Sequence, residues 1–248
     1  MDTMTSKVRL AIASDIHGNL CALEALIADL SITKPDIVLC GGDLATHGHR
    51  PAEVIDRIRD LGWITIAGNT DETLWAPERY EELQRAMPVK ADLRRILFEE
   101  FAPHTRELTG ASRIEWLRAR PVQHQQDHVL LVHASPGNLW DAPAANSLDD
   151  ALAVVYGDLP GKIAVYAHIH VPFIRTVRGK IVANTGSVGL PFDGDPRASY
   201  LLIEEDWLMT RRVAYDVEAE VKGLLASGYP RSEWLASCLR TGTFTPPV

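Results

Sequence analysis

The sequence of 248 residues predicts an α/β fold, with two β-sheets flanked by helices in one domain over residues 1–248. Before residue 71, short apolar runs alternate with helical segments, which is typical of parallel strands joined by right-handed crossovers. After residue 121 the chain is richer in strands. Residues 71–121 between them have helical spacing punctuated by prolines, which predicts an insertion of two or three helices, either a cap over a substrate or a further layer on the sheet.

Five predicted strands each end beside a side chain that can bind a metal ion. The apolar runs that predict them cover residues 8–13, 37–40, 63–67, 129–132 and 163–167. The side chains that follow these runs are Asp15 and His17, Asp43, Asn69, His133, and His168 and His170. Because ligands of open α/β sheets gather at the carboxyl ends of the strands, we expect these seven side chains to converge at one edge.

The remaining elements are predicted from caps, turns and helical spacing. Asn19 is expected to cap the first helix, and Pro51 to open the second. A hairpin is expected to turn at Arg178-Gly179-Lys180. The other expected elements are a helix begun by Asn146 or Ser147, strands over residues 200–203 and 210–214, and helices over residues 217–225 and 232–239.

Composition excludes several classes of protein. Lys plus Arg number 25 against 33 Asp plus Glu, a net charge of −8 with no basic cluster, which argues against a dedicated nucleic-acid-binding surface. The three cysteines lack C-x-x-C spacing, which argues against disulfides and zinc knuckles and predicts a cytoplasmic protein. Residues 1–7 are polar, and no apolar run approaches the roughly 20 residues of a membrane span, so neither a signal sequence nor a membrane helix is expected.

The seven donors define the kind of metal site. Four imidazoles, two carboxylates and one amide oxygen suit Mn²⁺ first, with iron, Zn²⁺ or Ni²⁺ as further candidates. Seven donors exceed what one tetrahedral ion takes, but two ions about 3.5–4 Å apart that share a carboxylate would use them all. A binuclear centre of this kind lowers the pKa of bound water toward about 7 and stabilises both oxygens of an in-line displacement at phosphorus.

The order of these motifs resembles that of the calcineurin-like metallophosphoesterases, and especially of their small bacterial single-domain phosphodiesterase-type members. The motifs are Asp15-Ile16-His17-Gly18-Asn19, Gly41-Gly42-Asp43, Gly68-Asn69-Thr70-Asp71, Val132-His133-Ala134, Ala167-His168-Ile169-His170 and Asn184-Thr185-Gly186-Ser187. The resemblance implies a four-layer sandwich of two mixed sheets. It also implies two metal sites that share Asp43, one with Asp15, His17 and His170, the other with Asn69, His133 and His168.

Thr70 is the main departure from the family pattern, because many members have a histidine there that contacts the phosphate and can protonate the leaving group. His47, His49 and Asp71 are the candidates to replace it as general acid. The resemblance therefore implies in-line attack of a metal-bridging hydroxide on phosphodiesters or phosphoanhydrides with acidic leaving groups, nucleotide-type substrates included. Asp43 and Asn69 are expected to take part in catalysis through the metal ions.

Further substrate contacts are expected from groups near the motifs. The backbone amides around Gly18 and Asn19 lie at a predicted helix start, where the helix dipole favours an anion. Thr70 and Arg50 are also expected to bind the phosphate. Arg197 is a further electrostatic candidate, and Trp75 or Phe192 could stack against a base.

Three other functions remain open. The first is a catalytically quiet relative that binds metal or nucleotide in regulation, and the second is a phosphomonoesterase or protein phosphatase. The third is a metallohydrolase of another fold, such as an amidohydrolase barrel or a metallo-β-lactamase-like enzyme. Against the third, the His168-x-His170 pair comes late in the chain and is followed by Val171-Pro172.

Overall fold

The computed structural model of the protein describes residues 8–87 and 89–247. The predicted absence of a signal sequence concerns residues 1–7, which lie outside the described residues. Two five-stranded mixed sheets form in the described part of the chain, with helices on their outer faces. None of the described helices combines the length and the apolar composition needed to span a membrane.

The first sheet has the strand order β10-β9-β1-β2-β3. Its strands are β1 (Arg9–Ala13), β2 (Ile37–Cys40), β3 (Ile64–Thr65), β9 (Ala198–Glu204) and β10 (Trp207–Val213). The pairs β1-β2 and β2-β3 are parallel, as the alternation of strand and helix predicts, whereas β9 is antiparallel to both β1 and β10. The sheet therefore combines a parallel half, which ends at predicted ligands, with an antiparallel hairpin.

The second sheet has the strand order β4-β5-β6-β8-β7. Its strands are β4 (Gln123–Gln126), β5 (Val129–Val132), β6 (Ile163–Tyr166), β7 (Phe173–Val177) and β8 (Lys180–Asn184). The hairpin of β7 and β8 turns at Arg178 and Gly179, both in the left-handed region, which confirms the predicted turn. The sequence did not predict β4, because it is a polar strand at the edge of the sheet with no buried face.

The two sheets share one apolar core. Leu10 and Ile12 of β1 and Leu201 of β9 belong to the same buried cluster as Leu131 of β5 and Val165 of β6. A second cluster packs helices α1 (Leu20–Thr33) and α2 (Pro51–Asp60) on the outer face of the first sheet, and a third packs α8 (Asp149–Tyr156) on the outer face of the second. The order helix, sheet, sheet, helix confirms the predicted fold class.

The predicted helix boundaries are mostly confirmed. The Asn19 side chain accepts a hydrogen bond from the Ala22 amide and so caps α1, and Pro51 opens α2. The two C-terminal helices are α9 (Val217–Ala226) and α10 (Ser232–Thr241). The prediction that Asn146 or Ser147 caps α8 is wrong, because Leu148 occupies the cap position and supplies no side-chain acceptor.

A helical segment lies between α3 (Asn69–Glu72) and β4. It consists of α4 (Arg79–Ala86), α5 (Ala91–Arg95), a π-helix (Ile96–Phe101), α6 (Ala102–Thr109) and α7 (Ala111–Arg118). Pro103 was expected to punctuate this segment, yet the helical run from α5 to α6 continues through it. The wide π-helical turn ends just before Pro103, and π-turns accommodate such irregularities within helices.

Candidate metal centre and its cavity

The structure brings together the side chains that follow five strands. Asp15 and His17 follow β1, Asp43 follows β2, His133 follows β5 directly, and His168 and His170 follow β6. Asn69 begins α3 shortly after β3. We call these seven residues the strand-end cluster. Their common location at the carboxyl ends of parallel strands is the location that the sequence predicts.

Four members of the strand-end cluster form a compact group that could hold a metal ion. Donor atoms of Asp15, His17, Asp43 and His170 all lie within 4.8 Å of one another, and all four residues are buried. The Asp15 Oδ1 atom is buried with no hydrogen-bond partner among the described residues. A buried carboxylate oxygen without a partner is costly, so this group needs a cation.

The remaining members lie on the other side of Asp43. Asn69 Oδ1 is 2.8 Å from both His133 Nε2 and His168 Nδ1. His133 Nε2 is 3.6 Å from Asp43 Oδ1, so Asp43 touches both groups. His168 is tied back to the first group, because its backbone amide donates to Asp15 Oδ2 over 3.2 Å. The seven side chains therefore form one continuous cluster with Asp43 and Asp15 at its centre.

Backbone carbonyls fix three of the imidazoles so that their free nitrogens point into the cluster. Nδ1 of His17 is 2.8 Å from the Thr46 carbonyl, Nδ1 of His170 is 2.6 Å from that of Leu190, and Nδ1 of His133 is 2.7 Å from that of Gly41. A carbonyl oxygen only accepts hydrogen bonds, so each Nδ1 must carry a proton, and each ring in its neutral form has its lone pair on Nε2.

The Nε2 atoms of His17 and His170 are only 3.2 Å apart. Two lone pairs at that distance repel unless a cation or a proton lies between them. Donation of the other ring nitrogen to a backbone carbonyl is the usual arrangement of metal-binding histidines. The residues present therefore fit a divalent metal ion.

Electrostatics favour the neutral, metal-donating form of His17 and His168 and a positive charge beside Asp15. Burial lowers the pKa of His17 well below its ordinary value and that of His168 to about 3, so both rings are neutral near pH 7. Burial alone would raise the pKa of Asp15, but His170 beside it holds the pKa below the usual range. The pKa of His170 is raised despite burial, because Asp15 and Asp43 favour its charged form. The cluster therefore attracts positive charge.

The backbone of the cluster is strained. Asp15, His17, Asp43, His168 and His170 all have φ between 52° and 68°, in the left-handed region that non-glycine residues rarely adopt. Such positions cost about 1–3 kcal/mol each and persist where the surrounding structure imposes them, often at functional sites. The five strained residues are all members of the strand-end cluster, which agrees with a functional role.

Two glycines allow the loops around Asp43 to approach each other. Gly42 has a φ of 89°, and a Cβ there would overlap the backbone of Gly68. A Cβ on Gly68 would in turn overlap the Asp43 carboxylate. The glycines of the motifs Gly41-Gly42-Asp43 and Gly68-Asn69 are therefore required for close packing of the two strand ends.

A set of hydroxyls and one carboxylate supports the cluster from behind. Ser14 donates to Asp15 Oδ2 over 2.6 Å, and Ser187 donates to the Asp15 carbonyl over 2.7 Å. Asp71 accepts hydrogen bonds from the amides of Leu44 and Ala45, which follow Asp43. Burial, together with the neighbouring Asp43, raises the pKa of Asp71 to about 7.

A cavity of about 840 Å³ opens above the strand-end cluster. Asp43, Asn69, His17, His168 and His170 line its floor. Its walls are mainly apolar and come from the α5–π segment, from α10 and from later loops: Leu93, Ile96, Leu97, Phe101, Trp140, Leu190, Phe192, Trp234 and Phe244. This volume lies within the range of small-molecule sites, which are typically concave and mostly apolar.

Some of the side chains predicted to contact the substrate line the cavity, and others do not. Thr70, His47 and Phe192 line it, and both Thr70 Oγ1 and His47 Nδ1 are buried without a hydrogen-bond partner among the described residues. His49 does not line it, because its Nδ1 lies 3.2 Å from Glu220. Asp71 does not line it either, since it supports the loop after Asp43.

Several predicted phosphate contacts are already satisfied within the protein. The Gly18 amide donates to the Leu44 carbonyl and the Asn19 amide to the Ile16 carbonyl, so neither is free for an anion. Arg50 binds Glu53, and Arg197 binds Asp195. Trp75 packs against the core beside the first sheet. None of these residues lines the cavity, and the structure gives their predicted roles no support.

The sequence did not single out other residues of the cavity. Arg94 and Lys90 bring positive charge to it, and Phe101, Trp140 and Trp234 supply aromatic surface. Their only sequence signal is helical spacing or an isolated aromatic residue, which does not distinguish a cavity wall from a core. Asn146 and Asp141 also reach the rim.

The strand-end cluster and the two-sheet fold agree with a known family. The model of the calcineurin-like phosphoesterase superfamily domain matches residues 8–206. The chain belongs to this superfamily. As a calcineurin-like phosphoesterase it is a hydrolase of phosphoric esters, and its family is metal-dependent.

Three curated relatives illustrate the range of the superfamily. An uncharacterised protein of Methanocaldococcus jannaschii is 27% identical to this phosphoesterase over 259 residues, 95% of this chain and 99% of that protein. Phosphodiesterase YfcE of Escherichia coli K12 is 26% identical over 212 residues, 81% and 90% of the two chains. The symmetrical bis(5′-nucleosyl)-tetraphosphatase of Pectobacterium carotovorum is 31% identical over 167 residues, 60% and 56% of the two chains.

A solved structure resembles the phosphoesterase over nearly its whole length. The metallophosphoesterase from Sphaerobacter thermophilus has a TM-score of 0.76 and 25% identity, and it covers 96% of this chain and 100% of its own.

Proposed function

We propose that this phosphoesterase hydrolyses phosphodiesters or phosphoanhydrides with two divalent metal ions, Mn²⁺ first among them. The observation that supports this proposal is the convergence of fixed imidazole lone pairs on two buried carboxylates at the floor of an apolar cavity. The names of two relatives, a phosphodiesterase and a bis(5′-nucleosyl)-tetraphosphatase, support small nucleotide-type substrates.

The strand-end cluster contains enough donors for two ions. Asp15, His17, Asp43 and His170 would hold one, and Asp43 would share the second with Asn69, His133 and His168. When bound, such ions lower the pKa of water and neutralise the charge of the phosphoryl group. The protein's part is to hold the donors rigidly, through carbonyl contacts at the Nδ1 atoms and through the hydroxyls of Ser14 and Ser187.

The leaving group should need little help from a general acid. The Thr70 hydroxyl borders the cavity without a partner, but an aliphatic alcohol is far too weak an acid to protonate a leaving group. Burial lowers the pKa of His47 to about 3, so its neutral ring at the cavity wall would donate a hydrogen bond, not a full proton. Both features favour substrates whose leaving groups are acidic over alkyl monoesters.

Two further parts of the proposal concern organisation and location. The single domain would include residues 71–121 as a cap, because the α5–π segment of that region forms one wall of the cavity. Cytoplasmic location would agree with Cys21, Cys40 and Cys238, which are free thiols.

The test is a panel of phosphoesters assayed with metal-depleted protein to which Mn²⁺, Fe²⁺, Zn²⁺ or Ni²⁺ is returned. We expect hydrolysis of bis(p-nitrophenyl) phosphate with Mn²⁺, inhibition by a chelator, and much slower hydrolysis of glycerol 2-phosphate. Elemental analysis of the purified protein should find close to two ions per chain. Equal or faster turnover of glycerol 2-phosphate would contradict the substrate class, and metal binding without turnover of any ester would favour the catalytically quiet alternative.

A further inference from the structure

Arg94 on α5 is a buried cation without an acidic partner. Its relative exposure is 6%, and no carboxylate of the described residues forms an ion pair with it. Its Nε donates weakly to Gln84 Oε1 over 3.3 Å, and its Nη2 is buried with no hydrogen-bond partner in the described part of the chain. Burial lowers the pKa of the guanidinium, which reflects the cost of desolvating it.

Several partly exposed arginines of the same helical segment, by contrast, have acceptors. Arg79 binds Glu82, Arg95 lies 3.4 Å from Glu100, and Arg113 binds Asp56. Arg106 donates to the backbone carbonyls of Thr73 and Leu74. An unpaired buried cation costs several kcal/mol by rough estimate, so Arg94 is the exception that requires an explanation from outside the described chain.

The position of Arg94 indicates what would satisfy it. Arg94 lines the same cavity as the strand-end cluster, next to the apolar side chains of Leu93 and Leu97. Lys90, one helical turn earlier, also lines the cavity and adds a second positive charge to it. The cavity therefore has a positive wall that is separate from its floor, and a planar guanidinium is suited to bidentate binding of phosphate or carboxylate.

We propose that Arg94 binds a second anionic group of the substrate, distinct from the phosphoryl group that is hydrolysed, and that Lys90 assists it. This inference rests on the proposed function, because the strand-end cluster must hold the reacting phosphoryl group. The preferred substrates are organic phosphodiesters or phosphoanhydrides that carry a further phosphate, with their apolar part against the aromatic wall. Arg94 thus determines specificity and takes no part in bond cleavage.

The test compares two esters that differ in one phosphate. The first is the p-nitrophenyl ester of thymidine 5′-phosphate, and the second is the same ester with an additional 3′-phosphate. We expect the wild type to have a KM about tenfold to 100-fold lower for the second ester, the range expected for charge-assisted hydrogen bonds. In Arg94→Met the ratio of the two KM values should approach one, and Arg94→Lys should keep part of the preference.

A matched control removes a charge from the same segment outside the cavity. Arg85 on α4 is exposed and does not line the cavity, so Arg85→Met should keep the wild-type KM ratio. Equilibrium binding gives a second measurement, since calorimetry on the metal-loaded protein can compare thymidine 3′,5′-bisphosphate with thymidine 5′-phosphate. The bisphosphate should bind more tightly to the wild type, and Arg94→Met should lose this difference while its circular dichroism spectrum stays native.

The outcomes separate this inference from the proposed function. If neither ester is hydrolysed with any metal, the proposed function fails, and the calorimetric comparison still tests Arg94. If both esters are hydrolysed with equal KM and Arg94→Met changes neither ratio nor binding, the second-anion site is overturned while the phosphoesterase proposal stands. Loss of the preference in Arg85→Met as well would also overturn it, because the effect would then be one of overall charge.

Discussion

The strand-end cluster and the helical wall of the cavity are built by different forces. The cluster contains five left-handed, non-glycine residues, two of which are the buried carboxylates, and backbone carbonyls and hydroxyls fix its side chains. The wall, by contrast, consists mainly of apolar side chains on the α5–π segment that pack against α9 and α10, and it also carries Arg94, which has no acidic partner among the described residues. The floor is thus fixed by polar contacts and strain, whereas the wall is fixed mainly by packing.

From this difference we infer that the chemistry resides in the strand-end cluster and the substrate specificity in the wall. A backbone strain of about 1–3 kcal/mol per residue persists only where rigid surroundings impose it, and here the shared core of the two sheets supplies that rigidity. The wall can change its side chains with only the packing cost of each substitution. We therefore expect changes in the cluster to affect metal binding and kcat, and changes in the wall to affect KM and substrate preference.

The largest expected effect comes from Asp43, which touches both halves of the cluster. Asp43→Asn keeps the shape but removes the shared negative charge, so metal affinity and catalysis should both fall. Several kcal/mol of charge stabilisation would be lost, which corresponds to a decrease of about 10³-fold or more in kcat/KM for bis(p-nitrophenyl) phosphate. Metal content by elemental analysis should fall in parallel.

The control for Asp43→Asn is Asp60→Asn, which changes an exposed carboxylate at the end of α2 and should alter neither activity nor metal content. Metal-free Asp43→Asn should unfold at or above the wild-type temperature, because burial raises the pKa of Asp43 and its ionised form is costly without a cation. If Asp43→Asn kept full activity with one ion or none, the cluster would not be what determines metal-dependent catalysis, and the distinction between the cluster and the wall would be lost.

A smaller effect is expected from Thr70, where floor and wall meet. Its hydroxyl faces the cavity, so the larger side chain of Thr70→His has space to extend toward a leaving group. A positioned general acid typically contributes 10²–10⁴-fold, and we expect about tenfold to 100-fold faster turnover of glycerol 2-phosphate in an unoptimised position. Hydrolysis of bis(p-nitrophenyl) phosphate, whose leaving group is already acidic, should change little.

Thr70→Asn provides the matched control, because it enlarges the polar side chain at the same place without an acidic proton. If Thr70→Asn improved the monoester reaction as much as Thr70→His, the gain would come from binding and not from proton transfer. If neither variant improved it, the missing histidine would not be what limits monoester turnover in this phosphoesterase.

The floor could be predicted from the sequence because its residues adjoin strand ends along the chain. Asp15 and His170 each follow an apolar run by a few residues, and the rule that strand ends converge was enough to bring them together. Left-handed backbone at Asp43 and the carbonyl contacts of the imidazoles have no sequence signal, since they depend on residues far away in the chain.

The wall could not be predicted in the same way. Arg94 and Arg95 are adjacent and look equivalent in the sequence, and only the tertiary structure gives one an acidic partner and leaves the other buried without one. Pro103 indicated a break, but the π-helix before it allows the helical run to continue. The polar strand β4 lies at an edge and lacks the apolar alternation by which strands are recognised.

The smallest expected effect tests the wall by packing alone. Phe101 is 1% exposed, belongs to the π-helix and packs with its ring centroid 5.0 Å from that of His47. Phe101→Leu should lower the free energy of unfolding by about 1–2 kcal/mol and raise KM for bis(p-nitrophenyl) phosphate by about two- to fivefold, because part of the apolar wall is lost. Metal content and kcat should stay close to wild type. Phe173→Leu, the same change at a partly buried position on β7 outside the cavity, should cost less stability and leave KM unaltered. A larger fall in kcat than rise in KM for Phe101→Leu would mean that the wall also holds the floor in position, and the two regions would no longer be separable.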